Sequence, residues 1–199
     1  IKLQTESGYV ARKCNILLKK LCRIPGHVSV STAQGKSSVT QYFMEVCGDE
    51  NVKKMVELLK LKSSGKDGLL KNDGMVYVHT CCKRAFLRGT FLAAGSLSNP
   101  EKSYHFEISE SEQSRGEQLL ELIRSFGVEA KKIARKNYHV IYVKEGEQVA
   151  ELLSIMEAHL ALMEFENVRI VKDVRNAVNR QVNCETANLS KTVNAARKQ

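Results

Sequence analysis

Between positions 124 and 144 six cations, Arg124, Lys131, Lys132, Arg135, Lys136 and Lys144, face a single acid, Glu129. Ammonium and guanidinium groups at this density suit phosphate-bearing partners. Five of the six fall on two stretches, EAKKIARK and YHVIYVK, that alternate in the manner of a hairpin. Lys131 and Arg135 share one strand parity and Lys132 and Lys136 the other, so both faces read as polar near the tip. A second basic set, Arg169, Lys172, Arg175 and Arg180, lies on the arc of a helix over 169–182 opposite Val171, Val174, Val178 and Val182. The valine stripe reads as core packing and the cations as an outer ridge. The formal charge of +9 points the same way.

Other chemistry finds little support. No Walker loop, GxSxG elbow or HExxH helix occurs, and the five histidines at 27, 79, 105, 139 and 159 are scattered. The six cysteines at 14, 22, 47, 81, 82 and 184 form no CxxC pair, and the adjacent Cys81 and Cys82 suit neither a disulfide framework nor a zinc site. Reduced thiols, no metal and no cofactor are expected. The sequence has no apolar run long enough for a membrane span and no secretory signal at its start, so a cytoplasmic protein is expected. It opens on Ile1 and closes in mid-pattern at Gln199, which reads as a piece of a longer protein.

The elements that must position the cations follow from periodicity. Apolar residues at 16, 17, 18, 21 and 24 predict a helix over 12–24 that ends near Pro25-Gly26. HVSVST and SVTQYFMEV predict two strands, and Asp49 opens a helix with Val52, Met55, Val56 and Leu59 on one face. A loop over 62–74 and a short strand, MVYVHT, come next. The pattern then restarts: a helix in CCKRAFLRGTFLAAG, a strand in YHFEIS, a helix ending at Gly127, and the basic hairpin. Gly89 and Ala93, four apart on the helix before Gly95, offer a small-residue face for close helix packing, and Gly95 reads as a helix stop with positive φ. Residues 147–182 read as two helices, and the polar stretch after 182 as a connector.

Two long strings, CCKRAFLRGTFLAAGSLSNPEKSYHFEI and LMEFENVRIVKDVRNAVNRQVNCETANLSKTV, resemble the WhiA family, regulators of sporulation and cell division in Gram-positive and related bacteria. The resemblance spans most of residues 81–199, while residues 1–80 fit it by element order. It implies an α/β (α+β) LAGLIDADG homing-endonuclease-like fold in two pseudo-symmetric halves with saddle-shaped antiparallel sheets. The halves are expected at 1–80, which is divergent, and 81–176, with 177–199 a helical connector toward an absent helix-turn-helix domain.

Homing endonucleases of this type place a metal-binding acid beside the last glycine of the motif. Aligned on Gly95 that position is Ala94, and in the first half it is Pro25. Neither side chain can ligate magnesium. The resemblance therefore implies a regulator that binds DNA without cutting it, and the two basic segments offer Lys131, Lys132, Arg135, Lys136, Lys144, Arg169, Lys172 and Arg175 as the candidate contacts. Other transcription or cell-division proteins are further expected partners. The rivals are a nuclease that uses Glu107 or Glu110, and a protein-interaction or ligand-sensing scaffold whose DNA contacts lie in another domain.

Overall fold

The computed structural model describes residues 1–24, 27–33, 39–64, 69–72 and 78–197. They form two compact units, Ile1–Phe86 and Leu87–Gln199. The first unit runs β1 (Lys2–Thr5), α1 (Gly8–Leu17), a π-helical turn (Leu18–Cys22), β2 (His27–Ala33), β3 (Val39–Glu45), α2 (Asp49–Leu58), β4 (Leu61–Ser64) and β5 (Leu69–Asn72). Helix α1 starts where Ser7, in extended conformation, accepts a hydrogen bond from the Val10 amide at 3.4 Å. Its extension ends at Arg23, which takes a left-handed φ of 53°. Asp49 and Glu50 occupy the first turn of α2, where carboxylates favour the positive helix end.

An antiparallel sheet of order β1-β3-β2 backs this unit. Its covered face brings Met44 against Leu18, Cys22, Ile24, Val46 and Met55, with Ile1, Leu3, Cys14 and Val52 at the margin. Strand β1 escapes sequence reading because it is four residues long and pairs with a partner some forty positions away, Lys2 opposite Glu45. Two expectations need correction. The predicted loop over 62–74 contains the hairpin β4-β5, with Leu61 paired to Asn72. The predicted strand MVYVHT is not found in its described part, since Val78 and His79 are bends and Thr80 opens a helix. Residues 75–77, and Pro25, lie outside the described residues.

The boundary between the units falls within α3 (Thr80–Ala94). Next come β6 (Gly95–Leu97), β7 (Phe106–Glu110), α4 (Gln113–Arg124), β8 (Lys131–Arg135), β9 (Tyr138–Val143), α5 (Gly146–Ile155) and α6 (His159–Ala196). The element order of the first unit from α1 to β5 thus recurs from α3 to β9. Here the strands join one antiparallel sheet of order β6-β7-β9-β8. Phe106, Ile108, Ile141 and Val143 are buried on its covered face, and Gly116 lets α4 lie close, since a Cβ there would sit 3.2 Å from that of His139. Phe91 of α3 stacks on Phe106 at 4.9 Å between ring centroids.

Gly127 ends α4 with φ 89°, as its position in the sequence predicts. Gly95 does not take the expected positive φ. It is required for space: a Cβ at Gly95 would press into the Phe91 ring and lie 2.6 Å from the Phe91 carbonyl oxygen. The valine stripe also departs from expectation. Val171, Val174, Val178 and Val182 are each more than half exposed, because α6 runs on as one helix to Ala196 with nothing described packed on that side. The polar stretch after 182 is therefore helical.

Candidate nucleic-acid interface

Strand register sorts the hairpin cations. Directly opposed residues share a face, so Lys131, Tyr142, Glu107 and Ser96 form one row across the four strands. Ile133, Val140 and Ser109 form the next row, and Arg135 with Tyr138 the last. This face lies opposite the one that carries α4. Lys131, Ile133, Arg135 and Tyr138 are exposed on it. Lys144, two residues beyond Tyr142 and of the same parity, follows on this face with its ammonium 5.3 Å from the centroid of the Tyr142 ring. The acid of the face, Glu107, is hydrogen-bonded to His105 at 3.0 Å, and the His105 ring stacks on Tyr142.

The other predicted cations are placed differently. Lys132 points to the helix side and donates to Glu117 of α4 at 2.9 Å. That bond, with a second from Gln113, holds the Glu117 carboxyl below its usual range. Lys136 is exposed at the hairpin tip with φ 53°. Arg124 donates to the Ala130 carbonyl at 3.2 Å and so braces the approach to β8. On α6, Arg169 pairs with Glu166 at 2.9 Å. Lys172 donates to the Pro100 carbonyl at 2.6 Å and lies 4.8 Å over the Tyr104 ring. Both are half-buried. Arg175, four residues after Val171, lies beside the valine stripe and not opposite it as the sequence pattern suggested, and borders a shallow recess with Glu101 and Asn167.

The structure thus brings Lys131, Arg135 and Lys144 together on the sheet face opposite α4, around a centre where Val140 is buried, and turns Lys132, Arg169 and Lys172 to contacts within the unit. Sequence reasoning did not assign Tyr138, Tyr142 and His105 to this face. Their parity relative to Lys131 was the available signal, but it becomes usable only with the register.

The remaining predicted positions carry little polar chemistry. Ala94 is exposed at the end of α3 and offers only a methyl group. Gly89 and Ala93 are exposed too, and a Cβ on Gly89 would meet no described atom within 4 Å. Glu110 ends β7, where burial raises its carboxyl above the usual range against the opposing pull of Arg115. Among the described residues no group of three or more metal-ligating side chains occurs, and no helix is long and apolar enough to cross a membrane.

Repeated helix-strand-strand-helix-strand-strand units, with helices on one face of the sheet, define the LAGLIDADG class. The homing endonuclease I-WcaI, solved bound to its DNA recognition sequence, shares this fold at a TM-score of 0.52 over 78% of this chain and 70% of its own, with 11% identity. Within the class, residues 83–175 match the WhiA LAGLIDADG-like domain. The probable cell division protein WhiA of Lachnoclostridium phytofermentans is 49% identical over 201 residues, which covers 100% of this chain and 64% of that protein. Full-length DUF199/WhiA from Thermatoga maritima superposes with a TM-score of 0.68 at 23% identity, covering 97% of this chain and 60% of its own. The chain is a homologue of the WhiA proteins and carries their LAGLIDADG-like domain. It spans less than two thirds of the length of these relatives.

Proposed function

We propose that this chain binds duplex DNA without cutting it, as part of a nucleoid-associated regulator of transcription in sporulation and cell division. The observation that carries this reading is the face bearing Lys131, Arg135 and Lys144. Lys131 and Arg135 lie four strand positions apart, roughly 13 Å, close to the ~12 Å width of a major groove. A sheet laid on the groove can set these cations against phosphates while Tyr138 and Tyr142 approach sugars and base edges. The name of the WhiA relative supports the cell-division part of this reading, and the DNA-bound endonuclease that shares the fold supports its DNA-binding part.

Non-catalytic action rests on residue type. Ala94 stands where the endonucleases of this class hold a metal-binding acid, and no other carboxylate on α3 can replace it, since that helix has none. Glu107 on the sheet is occupied by His105. In this reading residues 1–80 and 81–176 are the two halves of the DNA-binding body, and 177–199 is a helical connector.

Titration of fluorescent random and promoter duplexes at two salt concentrations tests the proposal. Non-specific dissociation constants on the order of 10⁻⁴ to 10⁻⁶ M at physiological salt, weakening steeply as salt rises, are expected. Binding that ignores salt, or cleavage of the duplex with magnesium that is lost in a Glu107→Gln variant, refutes it.

A further inference from the structure

Helix α6 leaves the body of its unit after Lys172, and every residue from Asp173 to Arg197 is exposed. Its own unit holds it through a different arc, on which Phe165 is 2% exposed and Leu162, Val168, Arg169 and Lys172 are partly covered. On the uncovered side Val171, Val174, Val178, Val182, Leu189 and Val193 are all at least half exposed. They follow a 3-4-4 spacing that repeats every eleven residues, with Glu185 at the one remaining position. Such a repeat runs at about 3.67 residues per turn, near that of a straight helix, so the stripe holds one line for roughly 33 Å.

The composition of this segment disfavours an unsupported helix. Val174, Val178, Val182, Thr186, Thr192 and Val193 are β-branched, and Asn176, Asn179, Asn183, Asn188 and Asn194 compete for backbone hydrogen bonds. Most helical stability in proteins comes from packing of an amphipathic face rather than from propensity. Side-chain bonds along the helix, Gln181 to Glu185 and Thr192 to Asn188, add only tenths of a kcal/mol each. An apolar partner is what such a stripe requires.

We infer that the partner is α6 of a second copy, laid antiparallel about a two-fold axis near Arg180. In that register Val178 meets Val182 of the other copy, Val171 meets Leu189, and Arg175 meets Glu185, each contact made twice. Charge selects the direction. A parallel, in-register pair would set Glu185 against Glu185 inside the apolar seam and Arg175 against Arg175, both unfavourable. The antiparallel pair answers each with its opposite. Arg180 lies on the reverse side of the helix from the Val178–Val182 seam, so the two copies do not clash at the axis. Met163 and Val171 are exposed near the start of α6, which leaves room for the end of the partner helix to pass.

Sedimentation equilibrium of the chain over about 1–300 µM should show mass rising from 22.3 kDa toward twice that value. Val178→Asp with Val182→Asp should weaken association by about a hundredfold or more while the sheet unit stays folded, because both side chains are exposed in one copy. Arg175→Glu alone and Glu185→Arg alone should each weaken it about tenfold, and the double reversal should restore it. Restoration is peculiar to antiparallel contact between these two positions and independent of helix content. A chain that remains at 22.3 kDa throughout overturns the inference and assigns the stripe to another occupant, such as the rest of a WhiA protein. A dimer in which the double reversal is no better than either single one also overturns it.

Discussion

The uncovered faces of the two sheets differ in how their charges are answered. In the three-stranded sheet Lys2 sits 3.3 Å from Glu45 and 4.4 Å over the Phe43 ring, while Gln4 bonds to Gln41 across the strands. Each of these groups finds its partner within the sheet. In the four-stranded sheet the cross-strand neighbours of Lys131 and Arg135 are Tyr142 and Tyr138, which leave positive charge outward. Among the described residues, cross-strand pairing therefore answers Lys2 with a carboxylate and Lys131 and Arg135 with aromatic rings.

The largest test of that contrast is structural. Phe106→Ala removes a fully buried ring stacked on Phe91 and should cost about 3–5 kcal/mol in denaturant unfolding, with loss of DNA binding. Met44→Ala in the first unit should cost about 2–5 kcal/mol yet leave binding to random duplex where the protein remains folded. Equal loss of binding from both would show that the sheets share the contact. Next in size, replacing Lys131, Arg135 and Lys144 together by Met should reduce the slope of log affinity against log salt by up to ~0.9 per lost phosphate contact. Lys2→Met should leave the slope unchanged, and an equal effect from Lys2 would erase the contrast.

Two glycines of the α3 region should respond in opposite directions. Gly95→Ala forces a Cβ onto the Phe91 carbonyl and should destabilise by about 1–3 kcal/mol. Gly89→Ala, in open space on the helix, should stabilise by about 0.5–1 kcal/mol. Thermal melts decide both, and a destabilising Gly89→Ala would reveal a neighbour against that face. The smallest effect concerns Glu117. Its lowered carboxyl contributes stability above the usual carboxylate value and loses it as pH falls through the folded value. Lys132→Met should move its NMR titration midpoint upward toward the ordinary range, with little change in DNA binding. A marked loss of binding would place Lys132 among the phosphate contacts.

Some of this was legible from residues alone because the local signals agreed. The alternation of YHVIYVK, Asp49 before an apolar helical stripe, and Gly127 after one each specify an element by short-range chemistry. The valines of α6 show where such reasoning stops. Periodicity states which residues share a face and says nothing about whether that face is covered. Strands β1 and β6 are too short to show a period, and β4-β5 lay beneath a Gly, Ser and Lys composition that reads as loop. At the site, parity divided Lys131 from Lys132 correctly, but the outward set also holds Ile133, 49% exposed, an apolar residue that gives no outward cue. Only the placement of α4 against His139 and Ile141 assigns the faces.

The tip of the basic hairpin sets mechanical quality against electrostatic reach. Lys136 holds a left-handed backbone conformation that costs a residue bearing a Cβ about 1 kcal/mol and glycine almost nothing. Glycine there would give a stiffer, better-formed turn, and selection for heat resistance alone would be expected to install it. The same exchange would remove the foremost positive charge of the hairpin. Engineering of this domain for stability and for nucleic-acid affinity would then diverge at a single codon, and Lys136 is where that divergence can be scored.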